Sequence, residues 1–106
     1  MANPTSDPTG ESGVAVEKRK KTTRPKRYKV LLHNDDFTSM EFVVEVLVKH
    51  FEHTPTQASQ VMLQVHHHGV GVAGTYTRDE AETRVVSATA DAEAAGFPLL
   101  VTMEPE

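Results

Sequence analysis

Three consecutive polar residues, Asn34, Asp35 and Asp36, are the side chains of this 106-residue chain whose types and spacing best suit chemistry. They come directly before a segment of helical pattern that carries Met40 and Val43. A polar turn ahead of a helix is one interpretation. The other is a binding pocket, because amide and carboxylate oxygens accept hydrogen bonds from an ammonium group and the apolar residues can hold a side chain attached to it. The first residue of a peptide offers both groups.

The run His66-His67-His68 raises the question of a metal site. On a helix, consecutive side chains point about 100° apart, so these three imidazoles cannot converge on one ion. His66 lies four residues after Met62 and so continues the apolar face of its helix. We therefore expect His66 to be turned inward as a hydrogen-bonding imidazole, and we expect no metal site. A histidine-rich metal-binding domain is kept as an alternative.

An enzymatic function would need residues that the sequence does not place together. Ser39, His66 and Asp36 have the residue types of a hydrolase triad, but no serine lies in a Gly-x-Ser-x-Gly or similar setting. The absence of cysteine excludes disulfides, thiolate metal sites and cysteine nucleophiles, and it favours a reducing, cytoplasmic location. We predict a binding protein that is not an enzyme and uses no cofactor.

Charge divides the chain at residue 26. Residues 1–26 carry six Lys and Arg against three Asp and Glu, a net charge of +3, whereas residues 27–106 carry five against twelve, a net charge of −7. Polar, Pro and Gly residues dominate the first part, so we predict a disordered N-terminal extension (residues 1–26) and one folded core domain (residues 27–106). The extension lacks the apolar stretch of a signal peptide, and no part of the chain has the apolar run of a membrane span.

The basic N-terminal extension suggests a nucleic-acid-binding or ribosome-associated protein as an alternative to peptide binding. The extension has no aromatic residue to stack on bases, and the acidic core domain would repel phosphate. We therefore expect no nucleic-acid partner and no membrane partner. We also expect a monomer, since the sequence gives no sign of a large apolar patch.

Capping and periodicity predict the elements that must position these residues. A hydroxyl N-cap followed three residues later by Glu or Gln occurs three times: Thr38 with Glu41, Thr54 with Gln57, and Thr77 with Glu80. The helices that follow are predicted over residues 39–51, 55–68 and 78–95. β-prone runs predict strands over residues 28–32, 70–76 and 98–103. The resulting order β-α-α-β-α-β favours an α+β domain with helices packed on one side of a small sheet.

Each predicted helix has one apolar face, and we expect the three faces to share a core. Gly69 and Gly96 follow the second and third helices as left-handed caps. In chain order the residues of these faces are Val43, Val46, Leu47 and Phe51, then Ala58, Val61, Met62 and Val65, and finally Ala81, Val85, Ala88, Ala92 and Ala95.

Seven short motifs stand in order along residues 27–105: Tyr28-Lys29-Val30, Asn34-Asp35-Asp36-Phe37-Thr38, Met40-Glu41-Phe42-Val43, Met62-Leu63, Val65-His66, Ala81-Glu82-Thr83 and Pro98-Leu99-Leu100. Together they resemble the ClpS family. Members of this family are adaptors that recognise N-degrons and pass them to a ClpA- or ClpC-type unfoldase and its ClpP protease. The resemblance implies three antiparallel strands against three helices, and a partner peptide that begins with Phe, Tyr, Trp or Leu.

The resemblance also implies roles for individual residues. The α-amino group of the substrate would be received by Asn34, Asp35, Asp36 and His66, and the adjacent peptide backbone by Thr38. The side-chain pocket would be lined by Met40, Val43, Met62, Val65 and Leu99, with Met40 disfavouring β-branched first residues. The N-terminal domain of the unfoldase would dock on Asp79, Glu82 and Arg84. The unfoldase pore would engage the N-terminal extension during delivery.

Overall fold

A computed structural model describes residues 25–106, so the predicted disorder of the N-terminal extension lies almost wholly outside the described residues. The elements are β1 (Arg27–His33), α1 (Met40–Phe51), α2 (Pro55–His68), β2 (Val70–Thr77), α3 (Arg78–Ala95) and β3 (Leu100–Pro105). The three strands form one antiparallel sheet in the order β2-β1-β3. The structure thus confirms the predicted α+β class and the order of the elements.

The central strand β1 divides the sheet into a buried and an open face. Val30 and Leu32 are fully buried, while the side chains between and beside them are partly exposed, as alternation along a strand requires. Ala73 is an extra residue in β2, because Val30 pairs with Gly74 and Leu31 pairs with Val72. The core collects buried residues from the strands and all three helices: Val30, Leu32, Phe42, Val43, Val46, Leu47, Phe51, Ala58, Val65, Ala73, Ala81, Ala88, Ala92, Leu99 and Val101.

The capping boxes that begin α2 and α3 are confirmed. Thr54 accepts from the backbone N–H of Gln57 and its own N–H donates to the Gln57 side chain, and the same exchange joins Thr77 with Glu80. Residues 55–68 and 78–95 are helical as predicted, with left-handed glycines after them.

The predicted cap of α1 is wrong by one residue. Ser39, and not Thr38, caps this helix, and its side chain accepts from the backbone N–H of Phe42 at 3.1 Å. The side chain of Thr38 makes a different hydrogen bond, in which its hydroxyl donates to the carboxylate of Asp35 at 2.7 Å. The bond to Asp35 holds the Thr38 side chain in the turn that precedes the helix, and the next hydroxyl along the chain, that of Ser39, lies at the cap position.

The end of α3 also differs from the predicted apolar face. Ala81, Ala88 and Ala92 are buried, but Ala95 is exposed in the last turn. The chain leaves the helix at Gly96 with a φ of 81°, and the ring of Phe97 then packs on Phe42 with centroids 4.9 Å apart. Phe97 therefore contributes to the core in place of the alanine.

Strand β3 begins two residues later than predicted. Its ladder starts where Leu100 pairs with His33 and ends where Pro105 pairs with Tyr28, so the length of β1 sets its bounds. Leu99 precedes the ladder and is buried, with 5% of its surface exposed. Within residues 25–106, every helix is too short or too polar to cross a membrane.

Candidate functional site

The loop between β1 and α1, residues 34–39, is fixed against the end of α2; we call it the acceptor loop. The backbone N–H of Asn34 donates to the carbonyl oxygen of Gly69 at 2.9 Å. Gly69 is the left-handed cap of α2, with a φ of 85°, and its own N–H donates to Val65 at 2.9 Å. These two bonds hold the acceptor loop beside the last turn of α2.

Asp35 organises the acceptor loop through three accepted hydrogen bonds. Its Oδ1 accepts the backbone N–H groups of Phe37 at 2.8 Å and Thr38 at 2.7 Å, and its Oδ2 accepts the Thr38 hydroxyl at 2.7 Å. Partial desolvation acts to raise the pKa of the Asp35 carboxyl, but these hydrogen bonds outweigh it and hold the pKa below its ordinary value. The group is therefore a carboxylate near neutral pH, and Oδ2 keeps a lone pair for another donor.

A cavity of about 400 Å³ opens between the acceptor loop and the facing sides of α1 and α2. Its lining is amphipathic, because the loop contributes polar groups and the two helices contribute mainly apolar ones. Val43 and Val65 form buried parts of this lining, while Met40 is 44% exposed and Met62 is half-buried. The volume falls within the range of sites that hold small molecules or single side chains.

The structure brings together all the residues predicted for the pocket except Leu99. Those that line the cavity are Asn34, Asp35, Asp36, Thr38, Met40, Val43, Met62, Val65 and His66. Leu99 lies instead in the buried core. The acceptor loop and the helices α1 and α2 therefore supply the polar and apolar groups of one site.

His66 lines the cavity, but the expectation that it is turned inward is wrong. The residue is exposed, whereas its neighbour Val65 has only 2% of its surface exposed. In this last turn of α2, Val65 takes the position that faces the core, and His66 is left at the rim. Its ring lies beside that of His67, with centroids 5.3 Å apart.

Two lining residues were missed by the sequence reasoning, namely Phe37 and Ser39. Phe37 is 76% exposed. The available signal was its setting: an aromatic residue directly after three polar acceptors, in a segment too short to have an apolar face of its own.

The apolar wall of the cavity is supported from behind by β2. Gly71 is buried, and a Cβ atom at this position would lie 2.7 Å from Cγ2 of Val65. The absence of a side chain therefore lets the strand approach α2 closely, and Val65 has no room to retreat from the cavity.

Several histidines outside the cavity hold the fold together. His33 bonds Thr102 through Nε2 at 2.8 Å, and His50 bonds Asp91 at 2.9 Å. His53 donates Nε2–H to the carbonyl oxygen of Ala73. Throughout residues 25–106, no group of three or more His, Cys, Asp or Glu side chains is arranged to hold a metal ion.

The residues predicted for unfoldase docking lie around the start of α3, away from the acceptor loop. Asp79 and Arg84 line a second cavity of about 400 Å³ between α1 and α3, whereas Glu82 is exposed on α3 and does not line it. Arg84 is fixed: its guanidinium carbon lies 4.3 Å from the centre of the Tyr76 ring, and Nη1 donates to the carbonyl oxygen of His50 at 2.7 Å. This arrangement presents a charged surface with one immobilised cation.

Known proteins that resemble this chain agree with one another. Residues 23–102 match the family described as ATP-dependent Clp protease adaptor protein ClpS. The ATP-dependent Clp protease adapter protein ClpS of Desulfatibacillum aliphaticivorans is 52% identical over 101 residues, which cover 94% of this chain and 97% of that protein. The protein of the same name from Deinococcus radiodurans is 48% identical over 103 residues, covering 97% and 91% respectively.

A solved structure is similar as well. It is that of Agrobacterium tumefaciens ClpS2 bound to L-phenylalaninamide, with a TM-score of 0.76 and 46% sequence identity. The match covers 78% of this chain and 100% of that chain. The ligand in that structure has a free α-amino group next to a phenyl side chain.

Proposed function

This chain belongs to the ClpS family of ATP-dependent Clp protease adaptors, which are not enzymes, and we propose that its acceptor-loop cavity holds the first residue of the substrate. The adaptor delivers N-end-rule substrates to the Clp protease. The observation that carries the proposal is the amphipathic lining of one cavity, in which carboxylate and amide acceptors stand opposite apolar side chains. A free α-amino group and a large apolar side chain on the same carbon complement such a lining.

The α-amino group is received by the polar side of the cavity. Near neutral pH it is largely an ammonium group with three donors. Asp35 offers the remaining lone pair of Oδ2, and Asn34, Asp36 and His66 supply the other acceptors at the rim. A carboxylate whose pKa is held low stays charged and so makes a charge-assisted hydrogen bond.

Thr38 binds the peptide backbone. Its hydroxyl proton is given to Asp35, so the oxygen is turned into an acceptor with lone pairs to spare. The backbone N–H of the second substrate residue is the donor that follows the α-amino group along the peptide. The same threonine thus joins the loop to the substrate.

The first side chain enters between α1 and α2. Val43 and Val65 form rigid walls, while Met40 and Met62 have flexible thioether side chains that adapt to Phe, Tyr, Trp or Leu. Met40 narrows the space next to the β-carbon and disfavours β-branched residues. Leu99 supports the site from the core. The phenylalaninamide bound by the Agrobacterium protein has the same pair of groups, a free amine and a phenyl ring.

Peptides that differ only in the first residue test this function. We expect the chain to bind Phe-Ala and Leu-Ala peptides about 10- to 100-fold more tightly than a Ser-Ala peptide, because full burial of a Phe or Leu side chain contributes roughly 1.5–3 kcal/mol. Fluorescence anisotropy with a dye at the peptide C-terminus measures the three affinities. Equal affinities would contradict the proposal.

The partner that receives the substrate is the N-terminal domain of a ClpA- or ClpC-type unfoldase, docked around Asp79, Glu82 and Arg84. The fixed guanidinium of Arg84 and the exposed carboxylates of α3 supply charges of both signs for this contact.

Because such unfoldases consume ATP, the site of action is the cytoplasm. Residues 27–106 form the core domain and residues 1–26 an extension that the unfoldase engages. We propose that the adaptor acts as a monomer.

Removal of residues 1–26 separates binding from delivery. We expect peptide affinity to stay within about two-fold of the full chain, since the cavity residues all lie in the core domain. We expect the degradation of a Phe-initiated substrate by the unfoldase and ClpP to slow several-fold. Comparing the full chain and the truncated chain in both assays checks this expectation. A truncated chain that lost peptide binding would contradict it.

A further inference from the structure

Phe37 is one of the residues that line the cavity, yet the proposed function gives it no role. At 76%, its exposed fraction is the largest among the large hydrophobic residues of the described chain. The residue nevertheless lines the cavity together with the groups that receive the substrate. An apolar side chain that is exposed at the edge of a binding site is suited to contact a partner and not to stabilise the core.

Phe37 is presented from a fixed turn. Its backbone N–H donates to Oδ1 of Asp35 at 2.8 Å, and the next residue, Thr38, is bonded to the same carboxylate through both its N–H and its hydroxyl. The backbone around the ring is therefore ordered before a peptide binds. A contact made by a side chain on this ordered backbone costs no further backbone entropy, and only the ring has to be ordered.

The course of an extended peptide leads its second side chain to this ring. In the proposed function, Oγ1 of Thr38 accepts the N–H of the second residue, which brings that residue next to Phe37. Successive side chains of an extended chain point in opposite directions. When the first side chain enters the cavity, the second points outward across the mouth. Phe37 lines the cavity and its side chain is largely exposed, so its ring is open to contact with that second side chain.

We propose that Phe37 determines specificity at the second position of the substrate, where it packs against large apolar side chains. Aromatic and long aliphatic residues remove part of the exposed ring from water, whereas Ala or Gly leave it uncovered. The inference rests on the proposed function, because the first residue must be held in the cavity for the second to reach the ring.

The test pairs two peptides with two proteins. Peptides that begin Phe-Leu and Phe-Ala are titrated against the wild-type chain and against Phe37→Ala. We expect the wild type to bind Phe-Leu about 3- to 10-fold more tightly, a part of the effect of fully burying such a side chain. In Phe37→Ala the ratio of the two affinities falls to about one, because Phe-Leu loses affinity relative to Phe-Ala. Phe37→Leu should restore most of the preference.

Further comparisons distinguish a direct contact of Phe37 with the peptide from an effect of the substitution on the loop. They also distinguish failure of this inference from failure of the proposed function. Val86→Ala also removes an exposed apolar side chain, 67% exposed on α3, and should leave the ratio unchanged. Equal binding of Phe-Leu and Phe-Ala by the wild type overturns the inference but leaves the proposed function intact, provided that both bind more tightly than a Ser-Ala peptide. A loss in Phe37→Ala that is equal for both peptides also overturns it, since it assigns Phe37 to the loop structure. Failure of the wild type to distinguish any of the three peptides overturns both proposals.

Discussion

Acetylation of the N-terminus of a Phe-initiated peptide is expected to weaken its binding to this protein at least about 100-fold. The acetyl group removes the positive charge and leaves one N–H donor where the free amine offers three. Hydrogen bonds to a charged group contribute roughly 1.5–3 kcal/mol each, so the loss of two exceeds the 2.8 kcal/mol that corresponds to 100-fold. The carboxylates of Asp35 and Asp36 would also lose their cationic partner on binding.

Isothermal titration with the free and the acetylated peptide measures this difference directly. A peptide with an N-methylated amine is a matched control, because it keeps the positive charge and two donors while adding one carbon. We expect its affinity to lie between those of the other two peptides. Equal binding of free and acetylated peptides would mean that the polar side of the cavity does not receive the amine, even if the apolar side still selects the first side chain.

The parts of the fold that could be predicted from sequence are those fixed by neighbours along the chain. The caps of α2 and α3 follow from Thr54 and Thr77, whose partners lie three residues away. The first and last residues of β3 are not fixed by neighbours along the chain, because they depend on which residues of β1 the strand pairs with. Such pairing is a tertiary property, and a short apolar run does not encode it.

The site shows the same limit at the level of side chains. Two hydroxyls, Thr38 and Ser39, compete to cap α1, and the outcome depends on the hydrogen bond from Thr38 to Asp35. His66 continues the helical spacing of an apolar face, but the last turn places Val65 against the core. Motif resemblance implied nine of the eleven residues that line the cavity, without Phe37 and Ser39, whereas the exposure of these residues depends on packing that spacing alone does not describe.

Asp35 is expected to be the most sensitive position of the site, because it both receives the amine and organises the loop. Asp35→Ala removes the acceptor of three hydrogen bonds to Phe37 and Thr38 together with the negative charge. We expect affinity for a Phe-Ala peptide to fall at least about 100-fold, and stability by about 1–3 kcal/mol. Asp35→Asn keeps a carbonyl oxygen for the two backbone N–H groups, so we expect a smaller loss, about 10-fold in affinity.

Asp91→Ala is the matched control, since it also removes a carboxylate whose pKa is lowered by a hydrogen bond, here from His50. It should reduce thermal stability and leave peptide affinity unchanged, because Asp91 does not line the cavity. If the Asp91→Ala chain bound peptide as poorly as the Asp35→Ala chain, both losses of affinity would result from unfolding and not from loss of an amine acceptor.

The pH dependence of stability gives Asp35 a signature of its own. Its pKa is lower in the folded chain than the ordinary carboxyl value near 3.8, so the ionised form stabilises the fold. This contribution is complete above the unfolded pKa and is lost as pH falls through the lower folded pKa. Denaturant unfolding of wild type and Asp35→Asn should therefore show a stability difference that is constant above about pH 5 and shrinks below about pH 4. A difference that stays constant down to pH 2 would mean that the carboxylate charge plays no part in ordering the acceptor loop, and that Asp35 acts there through shape alone.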